Sequence, residues 1–128
     1  MNQKTHESAE DYLETILMLH EENDYVRSID IVNKMGYKKS SVSVAMKNLR
    51  ENGYITVNEH GFIDLTPEGR KIAEMIYERH KFFSDWLTGL GVDKVIAVDD
   101  ACRVEHDLSE ESFAAIKKFV NDYNKDKS

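Results

Sequence analysis

Apolar residues recur at three- and four-residue spacing along most of this chain, and one short stretch holds two β-prone runs instead. Within residues 8–22, SAEDYLETILMLHEE, the side chains of Tyr12, Leu13, Ile16, Leu17 and Leu19 follow a helical period. Ser8 followed by Asp11 gives this helix an N-cap signature, and Asn23 and Asp24 break it. Ser28 opens a short helix, SIDIVNKM, that Gly36 stops as a left-handed C-cap. After Tyr37, Lys38 and Lys39, either Ser40 or Ser41 starts SSVSVAMKNLREN. Its apolar positions are Val42, Val44, Ala45, Met46 and Leu49, and Gly53 ends it. Tyr54–Val57 and Phe62–Leu65 are β-prone runs around Asn58-Glu59-His60-Gly61, which predicts a hairpin. Thr66-Pro67-Glu68 supplies a cap, a first-turn proline and a first-turn acid for a helix from Pro67 to about Thr88. Residues 93–107 and 109–124 read as two more helices, with Ser109 capping the last.

Helix, helix, tight turn, helix and hairpin is the order of a winged helix-turn-helix, whose second motif helix enters the DNA major groove. The expected fold is mainly α: a winged helix-turn-helix with a small β-hairpin wing over residues 1–70, then a helical domain over 71–128. A formal net charge of −7 argues at first against a nucleic-acid partner. The distribution reverses that argument. Between Val26 and Arg50 stand Arg27, Lys34, Lys38, Lys39, Lys47 and Arg50 against the single acid Asp30, so an acidic body carries one basic segment. Arg27, Lys38, Lys39, Lys47 and Arg50, with His60 in the hairpin turn, are candidate backbone contacts, and Ser40, Ser41 and Ser43 can meet phosphates or base edges. A helical packing module with a solvated basic face is the plainer alternative. No apolar run approaches the ~20 residues that span a bilayer, no secretory signal is evident, and a lone cysteine suits a reducing compartment, so a cytoplasmic protein is expected.

One short run, ACRVEHDL, carries unusual chemistry. Cys102, Glu105 and His106 are related as i, i+3 and i+4, which puts them on one helical face. Asp11 and Glu14 are also i, i+3, and His80 lies three turns into the helix after the hairpin. Thiolate, imidazole and carboxylate together suit a first-row divalent ion. Taken singly, each has an ordinary reading: Cys102 as core filler, His80 as a hydrogen-bonded ring, Asp11 and Glu14 as a solvated helix start.

The motifs AEDYLETI, LTPEGRKIA, ERH (Glu78–His80) and CRVEHDLSEE span nearly the whole chain. Together they resemble the diphtheria-toxin-repressor family of metal-dependent transcription regulators, in particular its short manganese-transport-regulator branch. The resemblance implies metal ligands at Asp11, Glu14, His80, Cys102, Glu105 and His106. It also implies an obligate homodimer built on the C-terminal helices, and double-stranded operator DNA upstream of metal-uptake genes as partner. Asp11 with Glu14 matches the manganese-type pattern, whereas Cys102 matches the iron-type one, so Mn²⁺ or Fe²⁺ is the expected cofactor. Co²⁺, Ni²⁺ or Zn²⁺ would substitute in vitro. Ser84 and Val98 stand where iron-type members have ligands of an ancillary site.

The long helix ends in Phe82, Phe83, Trp86, Leu87 and Leu90, and the last helix carries Phe113, Ile116, Phe119, Val120 and Tyr123 as a stripe. A half-domain of about 60 residues has little volume to bury them all, so these positions, Tyr123 apart, are the expected dimer interface. Two rivals stand beside the repressor reading. One is a metal-independent winged-helix regulator with an aromatic-ligand pocket among Tyr12, Phe82, Phe83 and Trp86. The other is a small metalloenzyme, which the absence of a separate acid–base residue disfavours; no enzymatic activity is expected.

Overall fold

A computed structural model describes the backbone of residues 3–127 and the side chains of residues 8–126. The element order is α1 (Gln3–Glu22), α2 (Ser28–Met35), α3 (Lys39–Glu51), β1 (Ile55–Val57), β2 (Ile63–Leu65), α4 (Pro67–Gly89), α5 (Lys94–Val104) and α6 (Glu110–Lys127). The chain divides into two compact units, 1–76 and 77–128, with the division inside α4.

In the first unit the apolar periods become a core. Leu13 and Ile16 of α1, Ile31 of α2, Val42, Met46 and Leu49 of α3, Ile55, Ile63, Ala73 and Ile76 are all buried. β1 and β2 pair antiparallel with Ile55 opposite Leu65 and Val57 opposite Ile63. Val26 extends this small sheet by accepting the Ile63 N–H at 2.8 Å. The hairpin turn is organised by Asn58, whose Oδ1 accepts from the backbones of His60 and Phe62, both at 2.9 Å. At the other end of the hairpin the Thr66 hydroxyl donates to Gly53 O at 2.7 Å and accepts the Gly69 N–H at 3.1 Å. One side chain thus caps α4 and ties it to the end of α3.

Two helix starts differ from the sequence expectation and one agrees with it. α1 begins at Gln3, so Ser8 lies within the helix: the preceding Gln, Lys and Glu are good helix formers with no breaker among them. α2 opens at Ser28 as expected, with Arg27 as its N-cap and Asp30 Oδ2 accepting the Arg27 N–H at 2.9 Å. Lys38 caps α3 without a side-chain bond, so neither Ser40 nor Ser41 is spent on capping. Gly36 does take the left-handed conformation, φ 74°, after α2.

In the second unit, Phe83, Ala101 and Phe113 form a small core, with Phe82, Trp86, Val104 and Leu108 packed on it. The rings of Phe82 and Phe83 both meet Phe113 edge-on or tilted at 5.4 and 5.9 Å. Asp93 caps α5 through Val95 N at 3.1 Å, and Ser109 caps α6 through Ser112 N at 3.1 Å, as the sequence predicts.

Candidate metal centre and nucleic-acid interface

The second unit brings His80, Cys102, Glu105 and His106 together. α5 does not run through Glu105 and His106 as expected; it ends at Val104, with Glu105 as its C-cap. The cause lies 26 residues upstream. Arg79, 3% exposed, donates from Nη1 to the carbonyls of Glu105 at 3.1 Å and Leu108 at 2.6 Å. Helix C-termini leave carbonyls without intrahelical partners, and this guanidinium takes two at that end while its Cζ sits 5.2 Å from the Phe113 ring. Glu105 and His106, as sequence neighbours, would diverge on an intact helix. Because the helix has ended, His106 Nε2 instead lies 3.4 Å from Glu105 Oε1. On its other side Glu105 Oε2 accepts from His80 Nδ1 at 2.9 Å. Cys102 Sγ is 3.7 Å from the same nitrogen.

Sequence reasoning missed Arg79, although its spacing carried a signal. Ile76, Arg79 and Phe83 are i, i+3 and i+7 on α4, and both apolar members are buried.

Electrostatically, Glu105 is the pivot. Its burial (1% exposed) works against the charge, but hydrogen bonds from His106 and His80 outweigh that and hold the carboxyl below the usual range. His80 is pushed up to about 10, first by its bond with Cys102 and then by that with Glu105, against its own partial burial. The resting site therefore holds a protonated imidazole between Cys102 Sγ and the Glu105 carboxylate. Sulfur, nitrogen and oxygen donors of His80, Cys102 and Glu105 all lie within 4.8 Å of one another. Donors about 2.0–2.3 Å from a single ion cannot lie more than about 4.6 Å apart, so little adjustment is needed. These residues fit a divalent ion.

Cation binding at His80 Nδ1 must displace its proton. Metal affinity is then expected to rise with pH by about tenfold per unit across the neutral range, because that nitrogen titrates near 10. Titration with Co²⁺ between about pH 6 and 8 checks this; a flat profile would exclude proton displacement at this nitrogen. The metal-free protein behaves in the opposite sense. The stability His80 contributes is complete below its ordinary value of 6.5 and is lost as pH rises through about 10.

Asp11 and Glu14 lie one turn apart on α1 of the first unit, Asp11 half-buried and Glu14 buried at 9% exposure. Burial of a carboxylate on a helix is unusual for a solvated helix start.

In the first unit the basic segment faces solvent. Lys38, Lys39, Ser40, Ser41, Ser43, Lys47 and Arg50 are exposed along α3, as are Arg27 and His60. Arg27 and the wing are joined by rings the sequence reading did not single out. The Arg27 guanidinium sits 4.6 Å over Phe62, which stacks on Tyr25 at 4.6 Å and lies 5.8 Å from His60. Below them His20 Nε2 donates to Ile63 O at 2.8 Å and steadies β2.

Of the apolar positions assigned to a partner subunit, Phe83, Phe113 and Val120 are buried in the monomer, and Phe82, Trp86, Leu87 and Ile116 are half-buried. Leu90 and Phe119 are 66% and 70% exposed. They line a groove of about 540 Å³ with Phe82, Trp86, Val120 and Tyr123.

Comparison with known proteins agrees with both halves of this picture. Residues 4–61 match the iron dependent repressor, N-terminal DNA binding domain, and residues 66–128 match the iron dependent repressor, metal binding and dimerisation domain. The HTH-type transcriptional regulator MntR of Bacillus pumilus (strain SAFR-032) is 35% identical over 113 residues, 88% of this chain and 78% of that protein. MntR of Bacillus subtilis (strain 168) is 33% identical over 119 residues, 93% and 84% of the two chains. Among solved structures, a manganese-dependent transcriptional repressor in complex with manganese superposes with TM-score 0.79 at 29% identity, covering 88% of this chain and 52% of that one. The manganese regulator SloR also superposes with TM-score 0.79, at 25% identity, covering 88% and 53%. The chain spans about half the length of these solved structures. A C-terminal metal-binding domain leaves the metal-independent alternative without support, and the relatives are regulators, not enzymes. The protein belongs to the iron dependent repressor family of metal-dependent, DNA-binding transcriptional regulators.

Proposed function

We propose that this protein is a repressor that binds operator DNA as a homodimer when loaded with Mn²⁺ or Fe²⁺, acting in the cytoplasm on metal-uptake genes. The observation that carries this reading is the donor set around Glu105, four residues from α4 and the end of α5 that bring sulfur, nitrogen and oxygen donors together. Asp11 and Glu14 of α1 would complete the ligand set. When bound, the cation supplies the positive charge that turns mutual repulsion among carboxylates and thiolate into attraction. The chain's own residues do the rest: Glu105 orients both imidazoles, Arg79 fixes the turn that carries Glu105 and His106, and Ser40, Ser41 and the lysines of α3 meet DNA. The exposed apolar groove at Leu90 and Phe119 is the face offered to a second copy. Loading thereby biases one arrangement of the recognition helices over others, a population shift with no chemical step.

Carboxylates favour Mn²⁺, and the Cys102 thiolate raises affinity for Fe²⁺ and the later ions. The test is anaerobic DNA binding to duplexes selected from a random pool, with Mn²⁺, Fe²⁺ or chelator. At least tenfold tighter binding with metal is expected, falling steeply with salt. Equal affinity in chelator sinks the proposal. Cys102→Glu is expected to shift preference toward Mn²⁺; an unchanged metal order would remove the thiolate from the ligand set.

A further inference from the structure

α3 buries Val42, Met46 and Leu49 and turns Val44 away from them. At about 100° per residue, Val44 points roughly opposite the buried side chains and shares its face with Ser40, Ser41, Lys47 and Asn48, all exposed. Val44 is 61% exposed, although its sequence position read as one of the apolar contributors to this helix. Nothing in the fold explains a valine there. β-Branched residues weaken an exposed helix, and this one leaves most of its surface in solvent instead of in the core.

The face on which it stands is the one proposed above to enter the major groove, and the inference rests on that reading. Of the groups presented in that groove only one is apolar, the 5-methyl of thymine. The serine hydroxyls beside Val44 donate or accept and discriminate bases weakly, and Lys47 reaches phosphate or guanine. We propose that Val44 reads the 5-methyl group of a thymine, so that each half-site of the preferred duplex carries a thymine at one defined position. Cytosine at that position offers no methyl and brings an amino donor, which the valine cannot pair.

The experiment uses the full chain with Mn²⁺ and duplexes selected from a random pool, then replaces each thymine in turn by deoxyuridine, which deletes only the methyl. One thymine per half-site is expected to be methyl-sensitive, with a loss of about fourfold for one and about fifteenfold for both, the scale of a buried methyl group. Replacing that thymine by cytosine weakens binding, and 5-methylcytosine there recovers part of the loss. Val44→Ser removes the sensitivity at that position while its thermal unfolding stays nearly unchanged, since Val44 is 61% exposed and outside the buried core. If every deoxyuridine duplex binds like its parent, or if Val44→Ser keeps the same methyl-sensitive position, the assignment of Val44 is overturned while DNA binding stands. If no duplex is selected at all, the repressor reading itself falls, and this inference with it.

Discussion

Glu105→Gln is expected to lower affinity for Mn²⁺ and Co²⁺ by about 100-fold or more and to abolish metal-dependent DNA binding at ion concentrations that saturate the parent protein. The substitution keeps the volume of a side chain that is 1% exposed and removes only its charge. That charge is shared by two rings, His80 at 2.9 Å and His106 at 3.4 Å, so one change removes an oxygen of the proposed ligand set and loosens its two nitrogens. In the metal-free protein the cost is smaller, about 1–3 kcal/mol. The Cys102 contact, the first cause of the raised His80 value, remains in this variant. Calorimetric titration with metal and circular dichroism separate the two effects. His106→Ala, which leaves the Glu105–His80 pair intact, is the companion variant. Undiminished metal affinity in Glu105→Gln would remove Glu105 from the site, and loss of the fold in both variants would give these residues a structural role.

The second large effect lies in the DNA-binding unit. A Cβ added at Gly69 would stand 2.0 Å from the Tyr54 carbonyl oxygen and 2.9 Å from its carbon. Both are backbone atoms, and the same carbonyl accepts the Thr66 N–H at 3.1 Å, so it cannot swing aside cheaply. Two terms oppose each other in Gly69→Ala. Alanine gains about 1 kcal/mol of helix propensity, and overpacking against fixed backbone costs about 3 kcal/mol or more. The overlap wins, because the contact is far shorter than any carbon–oxygen contact and involves no flexible side chain. A net loss of about 2–3 kcal/mol is expected, or roughly 10–20 °C in Tm for a unit of this size. Gly89→Ala is the control. Nothing lies within 4 Å of a Cβ there, so it is expected to unfold at the same or a higher temperature. Equal Tm values for the two variants would show that the approach of α4 to Tyr54 relaxes without cost.

These two sites differ in how far they could be read in advance. Glu105 was a candidate ligand from its i, i+3, i+4 neighbours alone, and the side chains did converge, but by a different route. The expected route was one continuous helical face; the observed one is a helix that stops at Val104 and folds His106 back toward Glu105. Gly69 could not be read at all, since its helical conformation asks nothing of a glycine and only the approach of Tyr54 demands one.

Element order, the Gly36 stop, the hairpin and the Thr66 and Ser109 caps were all present in the order of residues. Each depends on groups within a few positions of one another, where propensity, capping and period operate. Three other features were settled only by packing: Val44 turned to solvent while Val42 and Met46 went inside, Arg79 buried, and α5 ending before Glu105. Apolar periodicity marks which faces can be buried, but not which of them meets a partner. Likewise the end of α5 follows from a guanidinium 26 residues earlier in the chain, which no window around Glu105 contains.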